Sequence, residues 1–392
     1  MNKTIVTCLG ILLVIVLASP NYGQTIYEFD GGGDGVSFLD PNNWVDFLGG
    51  PDAVPGPADQ ARIHSGNVVS YATAVTTTVL QLKVGSDTTA NPGPFGSPGT
   101  LNQSAGKIVV AGGGDAFEIG RAVDTPPTIS GAIGIINLTN DAVLEIQGSD
   151  PIVGVRAEAE LNIGPNASVI STRPGGAFWR VGHNGPSIDP FNPIGGLRGK
   201  GLLNVEGSFS AHTIFVGVDD GDGTVRVSGN GSLTLTNNLV PGVNTAFPNR
   251  SALVHMVGSS ATLSADNLES ANLLAENHNQ YLFDADAGGV SPITLTNAVN
   301  IDNNDLVVNL NGFSLPLFGT LLLFDADQAL AGNQVFGQFA SSVVNGSIID
   351  HIVIYDQVNG DILIQRVPEP ATMLLLGLGM VMMISAKRRE SR

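Results

Sequence analysis

Short stretches of alternating apolar and polar residues, interrupted by glycine and asparagine, constrain this fold more than any other feature of the sequence. Between residues 100 and 265 the pattern apolar-x-[Asn/Gly]-x-[Ala/Gly]-x-apolar recurs. Alternation with a period of two predicts β-strands, and Gly or Asn supplies the positive φ angles that tight turns require. Copies of the pattern cover residues 138–144, 163–169, 227–233 and 257–263, with a partial copy at 205–209.

A second repeated feature is an apolar residue followed by glycine. Successive glycines of these pairs are separated by 35, 34, 10, 18, 35 and 41 residues. The recurrence near 35 predicts two coils of about 17–20 residues in each interval, with insertions. The pairs are Val84-Gly85, Ile119-Gly120, Val153-Gly154, Ile163-Gly164, Val181-Gly182, Val216-Gly217 and Val257-Gly258.

Stacked coils are the structure that these repeats favour, because one coil alone cannot bury its apolar side chains. The sequence therefore predicts an all-β protein, a parallel β-helix or β-solenoid, with a β-sandwich as the alternative. We expect an N-terminal cap and first strands at 24–99 and solenoid repeats at 100–265. Asn-Gly turns predict a small antiparallel C-terminal β module at 266–366.

The repeats resemble those of exported bacterial adhesin and passenger domains, and also those of pectin-degrading β-helical enzymes. The pair Asn43-Trp44, followed by a loop that contains Pro and Asp, is similar to the start of many exported bacterial β-solenoid proteins. Because an open solenoid end exposes apolar coils, we expect Trp44 to cap the core rather than to bind sugar.

Both ends of the chain carry targeting features. A cationic start, an apolar run at 5–17 and small residues at 16–18 predict a secretory signal peptide over 1–23. At the other end, Val367-Pro-Glu-Pro370 precedes an apolar run at 371–386, predicted as a transmembrane helix, and then Lys387-Arg388-Arg389. The basic residues favour the cytoplasmic side, which leaves the rest of the chain outside.

The tail resembles the PEP-CTERM sorting signal of Gram-negative and related bacteria. That resemblance rests on six residues in a fixed order around the apolar run, and it implies processing by an exosortase. It further implies transient anchoring in the inner membrane and then a cell-surface or extracellular location. A plain C-terminal membrane anchor is the alternative. The sorting residues are Pro368, Glu369, Pro370, Lys387, Arg388 and Arg389.

Charge and cysteine content exclude several function classes. Between the two targeting segments there are 12 basic and 34 acidic residues, a formal net charge of −22. This charge opposes binding to nucleic acids, which needs clustered Lys and Arg. The only cysteine, Cys8, lies in the signal peptide, so cysteine nucleophiles and cysteine-bound metals are excluded from the mature chain.

No arrangement of residues predicts catalysis or a cofactor. The six histidines are scattered, and nucleophile-elbow and Walker motifs are lacking. The best metal candidate is Asp219-Asp220-Gly-Asp222, an oxygen-rich loop that suits calcium but that is more simply a solvated turn. Arg173 and Arg180 beside Trp179 predict either a sugar-binding surface or a packed tryptophan.

Three functions are compatible with the sequence. The first is a non-enzymatic surface or matrix protein that adheres to extracellular polysaccharide. The second is a polysaccharide lyase or hydrolase, which requires at least two carboxylates and a basic residue in one groove. The third is a passive scaffold stabilised by calcium.

Overall fold

The fold is that of a parallel β-helix, as seen in a computed structural model. The structure describes residues 24–86, 98–122, 132–183, 199–219, 221–243, 251–269, 278–302, 304–326, 335–345 and 351–367. The predicted signal peptide and the predicted transmembrane helix lie outside these residues.

The N-terminal cap consists of strand β1 (Ile26–Phe29), a 3-10 turn (Pro41–Asn43) and strand β2 (Trp44–Asp46), with β2 antiparallel to β1. The predicted capping role of Trp44 is confirmed. Its indole is fully buried, packs edge-on against Phe29 and Phe38, and donates a hydrogen bond of 2.7 Å to the carbonyl of Phe38.

Nine complete coils, each of three strands, follow the cap within the described residues. They are β3 (Gln60–Ile63), β4 (Val68–Tyr71) and β5 (Thr76–Val79); β6 (Gln81–Ser86), β7 (Gly99–Gln103) and β8 (Lys107–Gly114); β9 (Phe117–Arg121), β10 (Ile133–Leu138) and β11 (Val143–Ser149); β12 (Ile152–Val155), β13 (Glu158–Ile163) and β14 (Ser168–Ser171); β15 (Phe178–His183), β16 (Lys200–Val205) and β17 (Ser208–Ala211); β18 (Thr213–Val218), β19 (Asp222–Ser228) and β20 (Ser232–Leu235); β21 (Asn238–Val243), β22 (Ser251–Val257) and β23 (Thr262–Ala265); β24 (Asn267–Leu268), β25 (His278–Asp284) and β26 (Ile293–Leu295); and β27 (Val299–Asn300), β28 (Asp305–Asn309) and β29 (Thr320–Ala326).

The last coil is incomplete and is followed by a hairpin. Strands β30 (Val335–Phe336) and β31 (Ser341–Val344) continue the parallel pairing, and β32 (His351–Asp356) and β33 (Asp361–Arg366) form an antiparallel hairpin. Strand β33 pairs antiparallel with β29, which covers the end of one sheet.

Every third strand belongs to the same sheet, so the coils build three long sheets. Sheet A contains β1, β2 and every third strand from β3 to β30, sheet B runs from β4 to β31, and sheet C runs from β5 to β29 with the terminal hairpin. The solenoid prediction is confirmed, and the β-sandwich alternative is excluded by the parallel pairing.

Apolar side chains stack in columns inside the coils. In sheet A, for example, Val84, Ile119, Val153, Val181 and Val216 are in register on successive strands, and all are fully buried. Equivalent columns from sheets B and C meet them along the axis, forming one continuous core. This arrangement follows from the alternation of apolar residues that the sequence analysis identified.

A column of glycines in sheet A explains the apolar-Gly pairs. Each glycine follows a column residue of the core and adopts a φ angle between 62° and 82°. Each glycine is the second-last residue of its sheet A strand, and L residues with a side chain adopt this left-handed conformation at a cost. The column comprises Gly85, Gly120, Gly154, Gly182, Gly217 and Gly242.

The coil length that the sequence analysis predicted is wrong. Successive glycines of the column are 35, 34, 28, 35 and 25 residues apart, and each interval is one coil of three strands rather than two coils. The pairs Ile163-Gly164 and Val257-Gly258 belong elsewhere, because they lie at the ends of sheet B strands. Connections of variable length between sheets A and B produced the irregular spacing.

The local repeat pattern marks the corner between sheets B and C. Its first apolar residue ends a sheet B strand, and its last lies in the following sheet C strand, as in Leu138 and Leu144. The turn residue in between has a positive φ angle, 52° at Asn140 and 65° at Asn166. The Ala position faces the core, where Ala142 and Ala167 are buried.

The predicted small antiparallel C-terminal module is present, but it occupies less of the chain than residues 266–366. Parallel coils continue through Val344, and only β32 and β33 are antiparallel to their neighbours. The turn at Asn311-Gly312 was expected to close a hairpin, but it joins sheet B to sheet C as a solenoid corner. Positive φ angles of 46° and 87° suit either connection, so the dipeptide alone does not distinguish them.

The predicted boundary at residue 100 also differs from the structure. Parallel coils begin at β3, inside the range 24–99 that was expected to contain the cap and the first strands.

Candidate functional site

Sheet C carries two neighbouring columns of hydroxyl side chains on its outer face. We call these eight residues the hydroxyl face. Strands β14, β17, β20 and β23 contribute the first column, and β17, β20, β23 and β26 contribute the second. The first column is Ser168, Ser208, Ser232 and Thr262, and the second is Ser210, Thr234, Ser264 and Thr294.

The sequence produces this face through strict alternation. In Ser208-Phe-Ser-Ala211 the first and third residues point outward, while Phe209 points into the core and is buried. The next strands repeat the arrangement with Leu233 and Leu263 inward. Adjacent strands lie about 4.8 Å apart and alternate residues about 6.7 Å apart, so the hydroxyls form a regular lattice.

None of the eight side-chain hydroxyls has a hydrogen-bond partner among the described residues, and all eight side chains are half-buried or exposed. They are therefore available to donate to and accept from an external ligand. Polar side chains at the neighbouring corner toward sheet A are hydrogen-bonded to each other. His212 bonds to Thr236 at 3.1 Å, and Thr296 donates to Asp266 at 2.7 Å.

Charged residues mark the two ends of the hydroxyl face. Toward the N-terminus, Lys107 and Glu145 form an ion pair across sheet C, and this contact holds the pKa of Glu145 below its ordinary value. Toward the C-terminus, Asp325 follows Thr294 in register. Between these ends the lattice carries no charge, which is notable in a chain with a net charge of −18.

Sheet A presents the second concentration of polar groups, an acid–base ladder. Glu28, Arg62, Lys83 and Glu118 are in register on β1, β3, β6 and β9. Arg62 contacts Glu28 at 3.4 Å, and Lys83 contacts Glu118 at 2.9 Å. The pKa of Glu28 is lowered, chiefly by a hydrogen bond with His64, and burial lowers the pKa of Arg62.

These residue types are the ones that a lyase or hydrolase requires, and sequence reasoning did not identify them. The geometry, however, argues against catalysis. The carboxylate of Glu118 is fully buried and contacts Arg121 as well as Lys83, so no substrate oxygen reaches it. We conclude that the ladder is an ion-pair network that joins adjacent coils.

The predicted alternatives at Trp179 are resolved in favour of packing. Trp179 is fully buried and packs against Phe209 at a centroid distance of 4.8 Å and against Phe117 at 5.8 Å. Arg173 forms an ion pair with Asp150, and Arg180 lies on the outer face of sheet A. The three residues do not form a common sugar-binding surface.

The aspartates of the predicted calcium loop contact different residues. Asp219 bonds to His183 at 3.1 Å, and Asp222 accepts from the backbone and the hydroxyl of Ser251 at 3.2 and 3.1 Å. Asp220 lies outside the described residues. Within the described ranges, no group of three or more His, Cys, Asp or Glu side chains is arranged to hold a metal ion.

The sorting residues Pro368, Glu369, Pro370, Lys387, Arg388 and Arg389 lie outside the described residues. The body ends at β33, and only Val367 separates its last residue, Arg366, from Pro368. Residues 366–389 match the profile of the PEP-CTERM protein-sorting motif. The tail carries a PEP-CTERM sorting motif. A chain with this motif is exported to the cell envelope and sorted through an exosortase.

The PEP-CTERM match covers the tail and not the solenoid. No curated protein and no solved structure matches the chain significantly. Among the residues that the structure describes, no helical segment has the length and apolarity that a membrane crossing needs.

Proposed function

We propose that this protein is an extracellular scaffold that adheres to neutral polysaccharide through the hydroxyl face. The tail supports an envelope or surface location, where such polymers are the abundant partners. The single observation that carries the proposal is the lattice of eight hydroxyls on an uncharged strip of sheet C, none of which has a hydrogen-bond partner in the part of the chain that the structure describes. A polysaccharide presents hydroxyls along an extended chain, and each side of such an interface both donates and accepts.

The negative net charge of the protein favours binding to a neutral polymer over binding to an acidic one. The exported part of the chain has a formal net charge of −22, which repels uronate-rich or sulfated polysaccharides at low ionic strength. The hydroxyl face is free of that charge over four to five coils, so a neutral chain laid along it meets hydrogen-bonding groups at every coil. We expect weak contacts at each coil that add up along the polymer.

Sedimentation with insoluble neutral polysaccharide tests this function. The double variant Thr234→Ala/Thr294→Ala removes two hydroxyls without enlarging any side chain. Each lost hydrogen bond contributes about 1 kcal/mol, so the double variant loses about 2 kcal/mol and we expect binding about thirtyfold weaker. The matched control is Thr100→Ala/Thr224→Ala, which removes two hydroxyls from the outer face of sheet B and should leave binding unchanged.

Equal binding by both double variants would remove the hydroxyl face from the function. Release of soluble sugar products during the same incubation would instead support the lyase or hydrolase alternative. The carboxylates of sheet A do not favour that alternative, because they are engaged in ion pairs with Arg62 and Lys83.

Membrane anchoring and processing form the second part of the proposal. We expect the apolar segment 371–386 to hold the precursor in the inner membrane until an exosortase acts near Pro368-Glu369-Pro370. The mass of the protein recovered from the surface fraction tests this. A C-terminus trimmed near residue 370 agrees with processing, and an intact C-terminus in the inner membrane would mean that the tail is only an anchor.

A further inference from the structure

The loop that enters β29 exposes apolar side chains at the end of the solenoid. Residues 311–319 contain no charged side chain in a strongly acidic protein. Leu317 is 44% exposed and Phe318 is 55% exposed, and Pro316 between Leu315 and Leu317 is exposed too. We call Pro316, Leu317 and Phe318 the apolar tip. Exposing a leucine and a phenylalanine side by side to water costs free energy that burial would recover.

The apolar tip is held firmly in its exposed position. Phe318 has a φ angle of 61°, which is unfavourable for a residue with a side chain, and its N–H donates to the carbonyl of Arg366 at 3.1 Å. Gln365 donates from its side chain to the carbonyl of Phe318, also at 3.1 Å. Strained conformations of this kind persist when the surrounding structure fixes them, and they concentrate at functional positions.

Those hydrogen bonds connect the tip to the point where the chain leaves the body. Arg366 is the last residue of β33, and the predicted membrane segment begins at Ala371. The five Cα–Cα steps from Arg366 to Ala371 span at most about 18 Å when fully extended. Because the N–H of Phe318 bonds to the carbonyl of Arg366, the tip lies within about 25 Å of the place where the chain enters the bilayer.

The surroundings of the exit point suit a lipid headgroup region. Ile352 lies on the neighbouring strand β32, is 46% exposed and is in register with Gln365 of β33. The exposed Arg366 adds a positive charge, and residues 311–324 contain no acidic side chain. Apolar side chains next to a cation are the combination that binds an interface containing anionic lipids.

We propose that the apolar tip inserts into the membrane interface while the precursor is anchored by its tail. The inference rests on the anchoring that we proposed above. Leu317 and Phe318 enter the boundary between headgroups and acyl chains, and Arg366 contacts lipid phosphates. The last coil then rests on the bilayer, and the orientation of the body is fixed by two contacts, the tail and the tip.

A tryptophan reporter in the full-length chain tests this contact. The two native tryptophans, Trp44 and Trp179, are fully buried, so Phe318→Trp introduces a single exposed indole. The variant is reconstituted in vesicles of phosphatidylcholine and phosphatidylglycerol, with or without brominated acyl chains. We expect at least twofold quenching by the brominated lipid and protection from aqueous iodide. Leu317→Trp provides a second reporter if Phe318→Trp does not fold.

Two matched controls report on the rest of the body. Leu48→Trp lies in the N-terminal cap, where Leu48 is 80% exposed, and Val358→Trp lies at the opposite end of the terminal hairpin, where Val358 is 88% exposed. Both should be quenched by iodide and not by brominated lipid.

The outcomes separate the tip from the anchor. If the chain floats with vesicles but both tip reporters are quenched by iodide only, the tip does not contact lipid and the inference is wrong, although anchoring stands. If the chain does not float with vesicles at all, both the anchoring and the tip insertion are overturned.

Discussion

The side-chain amide of Asn162 donates a hydrogen bond to the side-chain oxygen of Asn137, 2.9 Å away on the neighbouring coil. The same bond is repeated along sheet B, from Asn137 to Asn102 at 2.8 Å and from Asn204 to Asn162 at 2.6 Å. Four coils are thus connected outside the core by a chain of amides, in addition to their backbone ladders. Within this asparagine ladder, each of the two inner residues makes two bonds to other asparagine side chains, and each of the two end residues makes one.

Asn162→Ala should therefore destabilise the protein more than Asn102→Ala. The inner substitution removes the bond that Asn162 donates to Asn137 and the bond that it accepts from Asn204, at about 1 kcal/mol each, together with a longer bond of 3.3 Å to Glu160. The end substitution removes one bond. We expect losses of about 2 kcal/mol or more for Asn162→Ala and about 1 kcal/mol for Asn102→Ala in urea unfolding. Equal losses for the two variants would show that the ladder bonds contribute little.

The glycine column gives a second stability prediction. At Gly182, with a φ angle of 70°, a Cβ would collide with the backbone of Asp222 on the next coil. Gly182→Ala should cost about 3 kcal/mol or more, since it combines left-handed strain with a backbone clash. Gly229 has a similar φ angle of 62° but open space around it, so Gly229→Ala should cost only about 1 kcal/mol. Chemical denaturation of both variants measures the difference.

Acid should weaken the fold. Backbone N–H groups of Ser37 and Val36 lower the pKa of Asp34, and a hydrogen bond with His64 lowers that of Glu28. A lowered folded-state pKa contributes stability above the unfolded value, and that stability is lost as pH falls through the folded value. We expect a constant melting temperature between pH 7 and pH 5 and a decline below about pH 4.

Asp361 should affect the pH dependence of stability in the direction opposite to Asp34 and Glu28. Burial raises its pKa, with further contributions from Asp325 and Asp356. A raised carboxyl pKa favours folding at low pH and disfavours it as pH rises through the folded value. Asp361→Asn should consequently increase stability at pH 7 and change little at pH 3. A loss of stability at pH 7 would contradict the sign that we assign to this group.

Removal of calcium should leave the fold unchanged. The carboxylates of Asp219 and Asp222 are directed to His183 and Ser251, and they face different partners. Melting in EDTA should agree with melting in millimolar calcium to within about 1 °C. A rise with calcium that Asp222→Asn abolishes would restore the calcium-stabilised scaffold as a working hypothesis.

The sequence contained most of the information about the coil corners. The segment 138–144 and the other copies of its pattern predicted the turn between sheets B and C. They could do so because a buried Ala and an Asn with a positive φ angle are requirements of the turn itself. The coil length was mispredicted because it depends on the connections between sheets A and B, whose lengths vary from coil to coil. The parallel pairing of the strands after residue 265 was not predicted, because an Asn-Gly dipeptide such as Asn311-Gly312 fits a solenoid corner as well as a hairpin turn.

The hydroxyl face had a detectable signal, and the acid–base ladder did not. Each copy of the turn pattern fixes which residues of the next strand point outward, so Ser232 and Thr234 were assignable to one surface. Glu28, Arg62, Lys83 and Glu118 are instead separated by 34, 21 and 35 residues. No fixed period relates them, and only the three-dimensional register brings them together.

The glycine column, which recurs in six successive coils, makes the length of this stack adjustable in whole coils. A duplicated coil inserted next to its original presents the same glycine and apolar columns to its new neighbours, so neither end of the molecule has to change. Each added coil lengthens the stack by about 4.8 Å and carries the N-terminal cap that much farther from the terminal hairpin. The distance between the cap and the tail is therefore set by the number of coils.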